Sequence, residues 1–101
     1  MSLLLLDAKV TRIAGALERA GIPYAFGGAI ALAFYAAPRA TEDIDVNVFV
    51  PVDRAEACLD ALRPLGVVGE PTAQDRERHR MTAYWDHTPV HLFFSYDPFH
   101  E

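Results

Sequence analysis

The 101-residue sequence predicts an α/β (α+β) domain, a small mixed β-sheet with helices packed on it. Three observations predict it. Apolar residues recur at helical spacing near the N-terminus, residues 43–50 alternate apolar and polar, and two runs rich in aromatic and β-branched residues flank a turn sequence at 86–89. A chain of this length lies near the common domain size of ~100–150 residues, enough for one hydrophobic core and too little for two. No repeat, low-complexity stretch or linker divides it, so residues 1–101 read as a single domain.

In order along the chain, Leu6, Val10, Ile13 and Leu17 mark one face of an amphipathic helix, with Lys9, Arg12, Glu18 and Arg19 between them. Gly21 supplies its stop ahead of Pro23. Tyr24-Ala25-Phe26 is a short strand broken by Gly27-Gly28, and the Ala-rich stretch 29–37 predicts a buried helix closed by Pro38. Over 43–50, Ile44, Val46, Val48 and Val50 point to one face of a strand; Asp43, Asp45, Asn47 and Phe49 point to the other. Asp53 is positioned to cap a helix through Ala57, Cys58, Ala61 and Leu62, which Pro64 and Gly66 stop. Val67-Val68 is a short strand and 69–75 reads as loop. Met81–Trp85 and Val90–Ser95 then form a hairpin around Asp86-His87-Thr88-Pro89.

Composition bounds the function. The chain is 51% hydrophobic, with 6 Phe, 4 Tyr and 1 Trp against a net charge of −5, which excludes a disordered chain. No stretch approaches the ~18–20 apolar residues of a membrane span. The run Leu3–Leu6 is too short for a signal peptide and no A-x-A pattern follows it. Cys58 stands alone and cannot form an internal disulfide, which fits a reducing cytoplasm. A pI of about 5.2 argues against a duplex-DNA binder, whose grip on phosphate needs a basic face. The local exception, Arg76, Arg78, His79 and Arg80, is interleaved with Asp75 and Glu77. It reads as a solvated, salt-bridged surface turn, with a local phosphate or tRNA contact as the alternative.

The residues that carry chemistry are Gly27-Gly28 and the acid pair Asp43 and Asp45. Acids two apart on a strand project from the same face, where their oxygens suit a hard divalent cation shared with substrate phosphate. Like charges so close are costly without such a cation or a retained proton. The Gly-Gly step removes two side chains at a helix start, so backbone N–H groups can approach a phosphate.

This constellation resembles the nucleotidyltransferase superfamily of the DNA polymerase β type, in its AbiEii-like, minimal branch. Phe26-Gly27-Gly28-Ala29 matches the family's h-G-[GS] step, and Asp43-Ile44-Asp45-Val46 its [DE]-h-[DE]-h step. Arg39 and Thr41 match an Arg-x-Thr that often precedes the acid pair. The resemblance covers residues 22–50 well and the remainder by element order. It implies a nucleotidyltransferase-like core that binds a nucleoside triphosphate at Gly27 and Gly28, with Arg39 and Thr41 beside it. It further implies two Mg²⁺ ions on Asp43 and Asp45, and transfer of a nucleotidyl group to a hydroxyl of a protein, an RNA or a small molecule.

The family adds a third carboxylate on a later strand; here that strand reads Val90-His91-Leu92-Phe93-Phe94, with His91 on the face where the acid should stand. Histidine can serve as a general base but binds Mg²⁺ poorly. The departure leaves three readings: altered catalysis by His91, a different metal, or a site that only binds. In the last, the chain is a toxin–antitoxin-type partner module. Asp86 replaces the missing acid only if the hairpin register differs. His87 and His100 read as structural or nonspecific side chains, with a transition-metal site formed by His87, His91 and His100 beside Asp43 and Asp45 as the alternative. Cys58 reads as an inert buried thiol, and Trp85, Phe93, Phe94 and Tyr96 as core or sheet-face residues, with nucleobase stacking on one of them as the alternative. Relatives continue with helices beyond the hairpin. Ending at Glu101 is expected to leave Leu92–Phe94 partly uncovered, which points to a C-terminally truncated domain that forms a homodimer.

Overall fold

The structure, a computed structural model, describes residues 6–27 and 43–95. Helix α1 (Leu6–Arg19) turns Val10, Ile13, Ala16 and Leu17 inward, the stripe its 3.6-residue period dictates. It ends at Gly21, whose φ of 72° lies in the left-handed region open to glycine. Strand β1 (Tyr24–Phe26) follows. The helix expected over 29–37 lies outside the described residues, as does Tyr96.

Strand β2 (Ile44–Val48) sits inside the alternating segment, with Ile44, Val46 and Val48 fully buried and Asp45 and Asn47 partly exposed. Helix α2 (Ala55–Leu62) does not start at an Asp53 cap. A 3-10 turn over Val52–Arg54 precedes it and absorbs Asp53, because Pro51, with φ at −66°, already provides the turn's entry. A second 3-10 turn, Arg63–Leu65, closes α2 against Gly66 at φ 109°. Strand β3 (Val67–Val68) comes next.

The expected loop at 69–75 is corrected in part. Helix α3 (Ala73–Arg78) begins there, and Arg76 and Arg78 lie on it rather than in a turn. Its start is a capping box: the Asp75 N–H donates to Thr72 Oγ1 and the Thr72 N–H donates to Asp75 Oδ2. The reading of that basic cluster as salt-bridged is corrected too, because the ion pairs among the described residues do not include Arg76, Arg78 or Arg80.

Strands β4 (Arg80–Trp85) and β5 (Thr88–Phe94) form the hairpin, with a shorter connection than the sequence suggested. Asp86 adopts φ 56°, a conformation Asp tolerates, and lets Asp86-His87 close the turn. The strands order β1-β2-β5-β4-β3; β2 and β5 run parallel and the other neighbours antiparallel.

One face of this sheet forms the core with α1 and α2: Ile44, Val46, Val48, Met81, Ala83, Trp85, Val90, Leu92 and Phe94. Strand β5 is central, and Leu92 and Phe94 are buried within the chain. The expectation that Leu92–Phe94 would be left uncovered is therefore corrected; of these residues only Phe93 faces the other way. Among the described residues no helix is long and apolar enough to cross a membrane.

Candidate functional site

Strand pairing assembles the site on the face opposite the core. Gly27 continues β1, and its N–H donates to the Asp45 carbonyl at 2.9 Å. Asp45 pairs with His91 across the parallel β2–β5 ladder, and His91 pairs with Thr82 across the β5–β4 ladder. Gly27, Asp45, His91 and Thr82 thus form one row across four strands, on positions that alternate with the buried Ile44, Val46, Val90 and Leu92.

At one end of the row, Gly27 is required by close approach. A Cβ there would lie 3.0 Å from Asp45 Cβ and 3.6 Å from Asp45 Oδ2. Cross-strand Cβ atoms ordinarily stand ~4.5–5.5 Å apart. The missing side chain leaves the Asp45 carboxylate beside bare backbone.

At the centre, His91 joins two side chains. Its Nε2 lies 2.9 Å from Asp43 Oδ2 and its Nδ1 lies 2.9 Å from Thr82 Oγ1. A carboxylate only accepts, so Nε2 carries the proton towards Asp43; in the neutral ring Nδ1 then accepts the Thr82 hydroxyl. The His91 side chain is 30% exposed and that of Asp43 49%, so the pair is wetted and reachable. Asp43 precedes β2 and is drawn to the β5 side, whereas the Asp45 carboxylate lies against Gly27.

Beyond Thr82 a cavity of about 280 Å³ opens between α3 and the sheet, lined by Asp75, Arg78, Arg80, Thr82, His91 and Phe93. Sequence reasoning passed over Thr82 and this cavity. The missed signal was α3, whose Thr72-x-x-Asp75 box is legible in the sequence and sets Arg78 above the β4–β5 hairpin.

The register puts His91, not Asp86, beside Asp45, because Asp86 forms the hairpin turn. Of the other sequence-predicted site residues, Gly28, Arg39 and Thr41 lie outside the described residues, as does His100. Cys58 is fully buried in α2, and burial pushes its thiol up to about 11. That is the buried thiol the sequence predicted. The Tyr24 hydroxyl is raised by its hydrogen bond to Glu18, away from the site.

Among the described residues no three His, Cys, Asp or Glu side chains cluster closely enough to enclose a metal ion. The donor chemistry nonetheless fits a hard divalent cation shared with a ligand: Asp43 and Asp45 offer carboxylate oxygens on one side of the sheet, and only Asp43 Oδ2 carries a hydrogen bond from His91. A comparison with models of known protein families finds none that matches the chain, and a comparison with curated proteins likewise finds no match.

Proposed function

We propose that the chain is a nucleotidyltransferase-type protein that takes a nucleoside triphosphate with Mg²⁺ and transfers its nucleotidyl group to a hydroxyl. The observation that carries this reading is the row on the sheet face opposite the core. A glycine backbone, an acid pair and a histidine bonded to a hydroxyl stand side by side. Asp43 and Asp45 would hold Mg²⁺, which when bound neutralises charge at the attacking and leaving oxygens. Gly27, with Gly28, keeps side chains away from the phosphates, and Arg39 and Thr41 precede the acid pair in the same motif. His91 replaces the family's third carboxylate: Asp43 orients its ring through Nε2, leaving Nδ1 to take the proton of an acceptor hydroxyl. The acceptor classes are a protein or an RNA, and the cytoplasm is the compartment that fits.

The test is thermal stabilisation by each of the four nucleoside triphosphates, with and without Mg²⁺ or Mn²⁺. Ligand at 100 times its dissociation constant adds ~2.7 kcal/mol. The expected result is a metal-dependent shift that disappears in Asp43→Asn/Asp45→Asn. No shift with any nucleotide refutes the reading. His91 on Asp43 Oδ2, in place of a third acid, favours a second reading: a toxin–antitoxin-type module whose partner binding is indifferent to Asp45→Asn.

A further inference from the structure

We propose that Thr82 is an acceptor hydroxyl within the chain itself, so that the protein nucleotidylates its own Thr82; this rests on the nucleotidyl-transfer reading above. His91 has two ring nitrogens, and both are engaged. Nε2 is committed to Asp43, and Nδ1, the nitrogen left to act as base, already holds the Thr82 hydroxyl at 2.9 Å. Any external hydroxyl must displace Thr82 to reach that nitrogen. Thr82 needs no displacement. The hydroxyl, imidazole and carboxylate form the sequence by which a hydroxyl is activated as a nucleophile: the base is bonded to the hydroxyl and oriented by the acid.

The surroundings suit an anionic electrophile. The cavity into which Thr82 faces is lined by Arg78 and Arg80 against the single acid Asp75, and Phe93 offers a ring on the same wall. Asp43, one imidazole away, belongs to the acid pair assigned to the metal-bound triphosphate. In the step, Thr82 Oγ1 forms a bond to the α-phosphorus of the nucleoside triphosphate. The bond from that phosphorus to the oxygen bridging to the β-phosphate breaks, and its electron pair leaves on pyrophosphate. The hydroxyl proton passes to His91 Nδ1, and Asp43 stabilises the imidazolium through Nε2. The product is a phosphodiester on Thr82 that fills the cavity beside His91, so each chain reacts once.

The experiment is intact-mass analysis of the whole chain after incubation with each nucleoside triphosphate and Mg²⁺, followed by fragmentation. The expected result is a gain of one nucleotidyl group (a nucleoside monophosphate less one water) located on Thr82, with one pyrophosphate released per chain. Thr82→Val, close in shape, loses the adduct but keeps the metal-dependent nucleotide shift, and Thr82→Ser retains the adduct. A second readout needs no nucleotide: in ¹⁵N spectra of the ligand-free protein, Thr82→Val moves the Nδ1 resonance of His91, because Nδ1 lies 2.9 Å from the Thr82 hydroxyl.

A nucleotide shift with no adduct, an adduct on another residue, or an adduct that persists in Thr82→Val overturns the self-modification and leaves the nucleotide reading standing. A His91 Nδ1 resonance that does not move in Thr82→Val overturns it as well. Absence of any nucleotide shift overturns both.

Discussion

Gly27→Ala is the sharpest test of how fold and site are joined. The new Cβ would stand 3.0 Å from Asp45 Cβ, where carbon atoms pack best at about 3.5–4.0 Å. An overlap of roughly half an ångström must be relieved by moving β1 or β2. The Gly27 N–H bond to the Asp45 carbonyl ties the two backbones together, and β5 holds β2 from the other side. Overpacking of this kind costs ~1–3 kcal/mol, against which the reduced freedom of the unfolded chain returns only ~0.4–1 kcal/mol.

The expected net loss is therefore about 1–2 kcal/mol, a fall in Tm of ~4–15 °C for a domain of this size. Gly15→Ala is the control: it lies within α1, where a Cβ would meet only the mobile end of Arg19 at 3.3 Å. It should gain ~0.5–1 kcal/mol in helix propensity. Urea unfolding of the two variants beside the parent measures both. A Gly27→Ala protein as stable as the parent, or more so, would refute the claim that this glycine is dictated by its contact with Asp45.

Two further perturbations address the core. Lys9 is buried and its Nζ donates to Thr88 Oγ1 at 2.7 Å and to the Trp85 carbonyl at 3.3 Å, with the Trp85 ring centre 5.6 Å away. Lys9→Met removes the donor of both hydrogen bonds to the hairpin end and should cost ~1–3 kcal/mol in urea unfolding; an unchanged midpoint would show that the lysine does not pin the hairpin to α1. Cys58 has its thiol raised by burial from 9.0 to about 11. The folded chain therefore keeps its proton while the unfolded chain loses it, so this contribution to stability is intact below pH 9 and declines towards pH 11, by ~1.4 kcal/mol per unit. Cys58→Ala should flatten that decline. Iodoacetamide should label the parent only at the rate of unfolding, and fast labelling at pH 8 would contradict a buried thiol.

How much of this was legible in the sequence depends on how local the signal is. The 3.6-residue period of α1 and the alternation of β2 are set by which residues must leave water, and both appear where the pattern put them. The opposed faces of β2 were readable for the same reason, which is why Asp45 and Ile44 fall on different sides. Helix α3 was hidden because its six residues carry no buried apolar stripe; its only sign is the Thr72–Asp75 box. The two-residue turn was missed because nothing in Asp86-His87-Thr88-Pro89 requires Thr88 and Pro89 to join the strand until Thr88 is paired with Trp85 and bonded by Lys9. The resemblance brought Gly27, Asp45 and His91 together, but Thr82 at the end of the row could not be read, since its place depends on registers between strands whose paired residues lie up to 46 positions apart, Asp45 with His91.

Those registers hold because burial enforces them. A slip of one residue between β2 and β5 would bring Leu92 or Val90 to the open face, and would send His91 towards the helices. A one-residue reversal of β2 would place Asp45 among Ile13, Leu17 and Leu59, all of them fully buried. An ionised carboxylate without a partner costs several kcal/mol in such surroundings, a large share of the ~5–15 kcal/mol that holds a domain of this size together. The fully buried side chains Ile44, Val46, Val90 and Leu92 are therefore what places Asp45 against Gly27 and His91 between Asp43 and Thr82. Enlarging or polarising any of these four should disturb the open face through the register before it empties the core. Substitutions at the partly exposed Asp43 or His91 should leave the sheet in place.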